Sequence, residues 1–423
     1  MQRWVAAALA ALCVLGCAFA LHRCSGADSE PQQTETAETV ETVEMTQQPE
    51  ANDKPEIRAV WISYLELSMR SETKRDGDAF RAKLRGMMQT LRDNGFNTVF
   101  LHVRPFADAL YRSSLFPFSA YLTGTQGDDP GYDPLAIACE EASSCGIALH
   151  AWINPFRVCA SEDTWDTASD DNPAVQMLSD SDSANDHCVV HTAGGVYFDP
   201  AADAVQALIL QGVQEILEHY PVAGIHIDDY FYPSQDETID ETEFAAYRAS
   251  GGTKPLADWR RDIISAWMRR MHDTVKAYGN EKIFSASPAV SAEANRDKLY
   301  ADVALWCSEP GYCDWIIPQV YVGFEHETVP FIEAAAQWDR LCTCPDVTLL
   351  FGLAAYKCGA ADALAGSGRD EWLRHADILS RQIVHCRTET NGNGFVFFSY
   401  SYLFGENMTN NSNQEQQLVI SVL

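Results

Sequence analysis

Basic side chains are scarce in this sequence, at half the number of acidic ones. Its 423 residues include 30 Lys or Arg against 60 Asp or Glu, a formal net charge of −30 at pH 7. Nucleic-acid binding rests on basic patches that neutralise phosphates, so that balance argues against such a partner. It argues equally against electrostatic attachment to an anionic membrane, and favours a neutral or cationic substrate. Several catalytic signatures are missing as well. There is no His-Glu-x-x-His for a zinc-protease helix and no Gly-x-Ser-x-Gly elbow for a serine hydrolase. No Gly-rich phosphate turn follows the first strand after Trp61 and Ile62, which disfavours a dinucleotide fold. That strand reads Trp61-Ile-Ser63, without the two histidines one residue apart that mark metal-dependent barrel hydrolases of amides. Cys342-Thr-Cys344 lacks the spacing of a zinc knuckle or a redox motif. Neither a cofactor nor a metal is expected.

What is present divides the chain into three. Arg3 is followed by the apolar run Val5 to Ala20, which suits the hydrophobic segment of an export signal better than a membrane span. Within it, Val14-Leu15-Gly16-Cys17 is similar to a bacterial lipoprotein signal, with Cys17 the residue to be lipidated. Residues 1–24 are therefore expected to be a signal segment. Residues 25–56 are expected to be a disordered acidic linker; from Asp28 to Glu56 there are nine acids, one Lys and no apolar periodicity. Residues 57–423 are expected to fold as one large domain, for which a 46% apolar content supplies the core.

Inside that domain, short apolar strands alternate with amphipathic helices. The strands are Arg58–Ser63, Asn97–Val103, Ile147–Ile153, the stretch opening at Gly224, Lys282–Ser287, Asp314–Val320, Val347–Leu353 and Gly394–Ser399. One helical pattern separates each pair, such as Asp76–Asn94 with Phe80, Leu84, Met87, Met88 and Leu91 at helical spacing. Eight strands and their helices are the count for an α/β fold of the (β/α)8 TIM-barrel type. Two connections are long, Arg104–Asp133 and Asn154–Asp199. Both follow strands, the end where barrels build their sites.

If the barrel closes, the strand ends converge on one mouth. Strand two brings His102 and Arg104; strand three His150, Trp152 and Asn154. Strand four brings His226, Asp228, Asp229 and Tyr230, with Tyr232 just beyond. Strand six brings Gln319, Tyr321 and, slightly later, Glu325. Glycosidic cleavage needs one carboxylic acid to protonate the leaving oxygen and one carboxylate as base or nucleophile. Asp228, Asp229 and Glu325 are the acids placed for it. Side chains alternate along a strand, so Asp228 and Asp229 should not enter the mouth equally, and Glu325 is the expected partner across it. Trp152, Tyr230, Tyr232 and Tyr321 suit stacking on sugar rings. Arg104, His150, Asn154, His226 and Gln319 are candidates to hydrogen-bond hydroxyl or acetamido groups. Two rivals remain: a non-catalytic carbohydrate-binding lipoprotein on a barrel scaffold, and a metal-dependent deacetylase or amidase.

Several of these stretches are long enough to carry a resemblance. Gly-Ile-His-Ile-Asp-Asp-Tyr-Phe-Tyr-Pro (224–233), Val103-Arg-Pro-Phe-Ala-Asp-Ala-Leu-Tyr111, Pro130-Gly-Tyr-Asp-Pro-Leu135, His150-Ala-Trp-Ile-Asn-Pro-Phe-Arg157 and Trp315-Ile-Ile-Pro-Gln-Val-Tyr321 with Gly323-Phe-Glu-His326 are similar to a known set. The chain, over about residues 57–405, resembles the bacterial glycosyl-hydrolase-like barrel lipoproteins once called DUF187. The resemblance implies a TIM barrel and hydrolysis of glycosidic bonds in cell-wall or extracellular polysaccharide, with peptidoglycan glycan strands as the substrate class. It also implies an exported lipoprotein that faces the cell wall. One stretch departs from the pattern: after strand five, Ala286-Ser-Pro-Ala-Val-Ser-Ala-Glu-Ala-Asn295 lacks the Trp and Arg of the family's motif there.

Overall fold

The computed structural model describes residues 55–405 and 408–423. The export signal, Cys17 and nearly all of the acidic linker lie outside the described residues. Runs of β-branched and aromatic residues make the strands, and almost every one of their side chains is buried. That is the pattern of a parallel sheet covered on both faces. The strands are β1 (Ile57–Ile62), β2 (Thr98–Arg104), β3 (Ala148–Ile153), β4 (Gly224–Ile227), β5 (Ile283–Ala286) and β6 (Trp315–Ile316). β7 is made of two pieces, Thr348–Leu349 and Phe351–Leu353, and β8 is Gly394–Phe398. Each pairs in parallel with the next, and β8 pairs with β1 from Ile57↔Gly394 to Trp61↔Phe398. The two pieces of β7 pair with β6 on one side and β8 on the other, so the sheet closes.

The helices outside are α1 (Gly77–Asp93), α2 (Pro134–Ser144), α3 (Asp203–His219), α4 (Leu256–Lys276), α5 (Val303–Ser308), α6 (Phe331–Leu341), α7 (Ile378–Glu389) and α8 (Asn410–Val422). Sequence signals fix their ends. Asp76 accepts from Ala79 N–H at the start of α1, and Asp133 from Ala136 N–H at the start of α2, where Pro134 follows. Gly95 and Gly146 follow with positive φ. Apolar side chains on the inner faces of the helices pack against the outward side chains of the strands in one large cluster. A second cluster, with Trp61, Phe100, Trp152 and Val396, fills the barrel interior.

The long connection after β3 carries a small antiparallel sheet of Arg157–Cys159, Gly195–Phe198 and Val189–Thr192. Periodicity did not announce it, because each of its strands is only three or four residues long. Two expected helices are broken. Arg296–Cys307 is split into Ala292–Lys298 and α5, with Tyr300 at φ 55° between them. The helix expected from Arg369 begins as the single turn Glu371–Arg374 and restarts as α7. Among the described residues, no helix is long and apolar enough to cross a membrane.

Candidate active site

β4 ends at Ile227, so Asp228 and Asp229 lie just beyond the ladder, and the strand alternation expected to separate them no longer applies. Asp228 is only 6% exposed. Its Oδ1 accepts the Tyr230 N–H at 3.3 Å. Burial raises its pKa well above the usual carboxylate range, and the Asp229 charge raises it further. The Tyr230 N–H, Arg157 and the Trp152 indole oppose that rise without cancelling it. Asp229 is gripped from the far strands. Gln319 Nε2, beyond β6, donates to its Oδ1 at 3.2 Å and to the Ser287 carbonyl, beyond β5, at 3.0 Å. Burial lifts Asp229 to about 6, with the Gln319 bond and the Arg157 charge holding it down. The two acids thus have different settings. Both carboxyls are raised, Asp228 the more strongly, while Asp229, at about 6, is largely ionised at neutral pH.

Around them is a wall of rings. Trp152, a member of the barrel's interior cluster, donates its indole N–H to Asn154 Oδ1 at 3.2 Å. His102 stacks flat on it, the ring centroids 3.6 Å apart and the planes 9° from parallel. Burial, with Arg157 beside it, pushes the His102 pKa well down, so the ring is neutral. Phe398, at the end of β8, lies 6.5 Å from Trp152, 6.0 Å from Tyr321 and 6.1 Å from Tyr356 by ring centroid. Tyr321 and Tyr356 meet edge to face at 5.7 Å. Such a wall offers apolar ring faces beside carboxylates, which suits the C–H face of a sugar.

Arg157, the last residue of the His150–Arg157 motif, joins the site residues although the sequence assigns it no role. Its guanidinium, on a residue only 9% exposed, lies over the rings of Tyr230 at 4.7 Å and Phe106 at 5.0 Å. Its charge acts on Asp228, Asp229 and His102 alike. Its place three residues after Asn154, beyond a strand end, was the available signal.

Asp228, Asp229, Trp152, Asn154, Tyr230, Gln319 and Tyr321 are therefore brought together. Five other expected residues are not. Glu325, expected opposite Asp228, is 44% exposed and turned to Arg374 and His375, the latter at 3.8 Å. The loop is held that way because Glu371 accepts the N–H groups of Phe324 and Glu325 at 2.9 Å. His150 lies a layer below the mouth, against Phe100 and Trp315, and burial takes its pKa to about 3. His226 fills the middle layer, bonded to Trp61 Nε1 at 3.0 Å and Ser285 Oγ at 2.9 Å. Arg104 follows an irregularity in the β2–β3 register, is 1% exposed, and rests over Phe116 among the residues between strands and helices. Tyr232 is sealed, its hydroxyl donating to Asp240 Oδ2 at 2.9 Å under the Arg260 guanidinium. In the departed stretch, Asn295 ties the loop by bonding both the N–H and the carbonyl of Ala289. Among the described residues, no three His, Cys, Asp or Glu side chains gather in a metal-binding arrangement.

Comparison with known proteins agrees with this architecture. Residues 56–366 match the family model described as glycosyl hydrolase-like 10. Glycosyl hydrolase YngK of Bacillus subtilis (strain 168) is 30% identical over 352 residues, covering 79% of this chain and 67% of that protein. Glycosyl hydrolase DigH of Escherichia coli (strain K12) is 28% identical over 429 residues, covering 95% and 94%. Among solved structures, the PgaB (BpsB) glycoside hydrolase domain of Bordetella bronchiseptica superposes with a TM-score of 0.58 at 12% identity, over 86% of this chain and 99% of that one. At that identity the likeness speaks for the barrel fold alone.

Proposed function

This chain belongs to the glycosyl hydrolase-like 10 family, and from that membership we propose that it hydrolyses O-glycosidic bonds in a cell-envelope polysaccharide, the glycan strands of peptidoglycan. The observation that supports it most is the pair of neighbouring carboxyls at the end of β4, of which Asp228 is pushed further toward its protonated form than Asp229. Glycoside cleavage asks for that division: a proton for the leaving oxygen and a negative charge facing the oxocarbenium-like centre. Asp228 is the proton donor in this reading. Asp229, held by Gln319, carries the charge. Trp152, Tyr321 and Phe398 seat sugar rings, and Asn154 and Arg157 meet hydroxyl or acetamido oxygens. Glu325 has no part in the chemistry.

Export as a lipoprotein with its lipid on Cys17 completes the proposal, since it would bring the enzyme to its substrate. Fatty-acid labelling of wild type and Cys17→Ala tests that half: label retained in the variant would refute it.

The catalytic half is tested by digesting purified peptidoglycan, with and without its stem peptides, and separating the products by mass spectrometry. Asp228→Asn and Asp229→Asn are each expected to lower product release by about a thousandfold while glycan binding persists. Glu325→Gln is expected to leave release unchanged. Unimpaired release by Asp228→Asn would overturn the assignment. Release of acetate or stem peptide without glycan cleavage would favour a deacetylase or amidase instead.

A further inference from the structure

At the opposite end of the barrel from the mouth, four cysteines collect around the entry to β6. Cys307 lies in the last turn of α5 and Cys313 two residues before β6. Cys342 caps the C-terminus of α6, and Cys344 follows in the turn to β7. Two backbone hydrogen bonds weld the segments together: the N–H groups of Thr343 and Cys344 donate to the Cys307 carbonyl at 3.2 and 3.0 Å. A chain laid directly across the Cys307 carbonyl brings Cys342 into the short range that a disulfide spans. The neighbouring Cys342 thiol, with burial and the nearby Cys313 and Cys344, pushes the Cys307 thiol far up. All four are reduced in this structure, and only Cys342 is not fully buried.

We propose that Cys307 and Cys342 form a reversible disulfide, closed by thiol–disulfide exchange with a small-molecule disulfide such as glutathione disulfide. Accessibility sets the order of events. Cys342 reaches solvent, so its thiolate attacks the oxidant first; the S–S bond of the oxidant breaks and one thiolate leaves. Cys307 then gives up its proton and attacks Cys342 Sγ, and the second small thiolate departs. The protein loses two electrons and two protons, and the oxidant becomes two thiols. Cys313 and Cys344 stay reduced in the core beside the bridge. The loop closed in this way contains β6, Gln319, Tyr321 and all of α6. It pins the segment that holds Asp229 without touching the mouth.

The test uses the full chain, equilibrated in reduced or oxidised glutathione, denatured, alkylated and mapped by mass spectrometry, with thermal melts alongside. The expected result is a Cys307–Cys342 linked peptide and a melting midpoint several degrees higher in the oxidised form. The rise should vanish in Cys342→Ser, whose position is partly exposed and tolerates the change. It should vanish also in Cys307→Ala, so that a folding defect in one variant is checked by the other. Both thiols found alkylated and unlinked after oxidation would overturn the proposal. So would glutathione retained on Cys342 without closure, or linkage of Cys342 to Cys313 or Cys344.

Discussion

Asp228 stores strain as well as chemistry. Its pKa is raised in the folded protein, so ionising it costs folding energy. The sign follows from linkage: above the ordinary carboxylate range the folded state binds more protons than the unfolded one, so this group lowers stability as pH rises. Asp228→Asn removes a group that resists burial as a charge while keeping its shape. The variant is expected to melt a few degrees above wild type at pH 8, with the gap closing near pH 4, as calorimetry across pH would show. Its partner titrates within reach of assays. Asp229, at about 6 and needed ionised, should give the acid limb of the pH–rate profile. Gln319→Leu removes a donor that favours the ionised form, so that limb should move upward by about 1 pH unit. An unmoved limb would assign it to another group. Residues at the ends of strands were legible because an eight-strand count sends them to one mouth. Depth was not legible. His150 and His226 have the inward parity of Trp152 and Asp228, yet each comes one inward position earlier on its strand, where inward means core. Arg104 was misplaced by an irregular register that no residue type signals.

Among the elements, β4 shows how tightly the site is underpinned. Gly224 opens it, and a Cβ there would meet the Ile283 carbonyl oxygen at 2.0 Å and His150 Nδ1 at 3.0 Å. The φ is not the reason for this glycine; close approach of β5 and the inward His150 ring is. Gly224→Ala must therefore push β5 away, and a destabilisation of more than about 3 kcal/mol is expected from urea midpoints. An effect below about 1 kcal/mol would mean that the strands separate easily. The helical elements were readable where capping and period agree, as in α1 and α2. They failed where apolar spacing runs on through a break. Tyr300, at positive φ, interrupts one such run, held there between Tyr232 and Arg260. Contacts from β4's own loop thus override a local periodicity, and a single sequence carries no sign of them.

For the molecule as a whole, the closing question is what seals β8 against β1. The eight-strand alternation could be read off the chain, but the last eighteen residues gave no hint whether they take part. They do. α8 lies against α7, and Glu415, buried on its inner face, accepts the Ile378 and Leu379 N–H groups at 2.5 and 3.2 Å. It caps a helix from another element, supplying acceptors that α7 lacks locally. The end of the chain reaches further: Arg58 of β1 donates to the Leu423 carbonyl at 2.8 Å, and Arg387 to that of Val422 at 2.5 Å. Burial raises Glu415 to about 7, so the cap works near its own titration point. Its folded pKa lies above the unfolded value, and its contribution is therefore full at low pH and falls as pH rises through 7. Two substitutions separate shape from charge. Glu415→Ala strands two buried N–H groups and is expected to cost about 2–4 kcal/mol. Glu415→Gln keeps an acceptor and avoids the buried charge, so it should match wild type near pH 4 and exceed it at pH 9. Chemical denaturation at the two pH values reads both. Equal losses for Ala and Gln near pH 4 would show that α8 is held by its apolar face alone, with Glu415 a passenger.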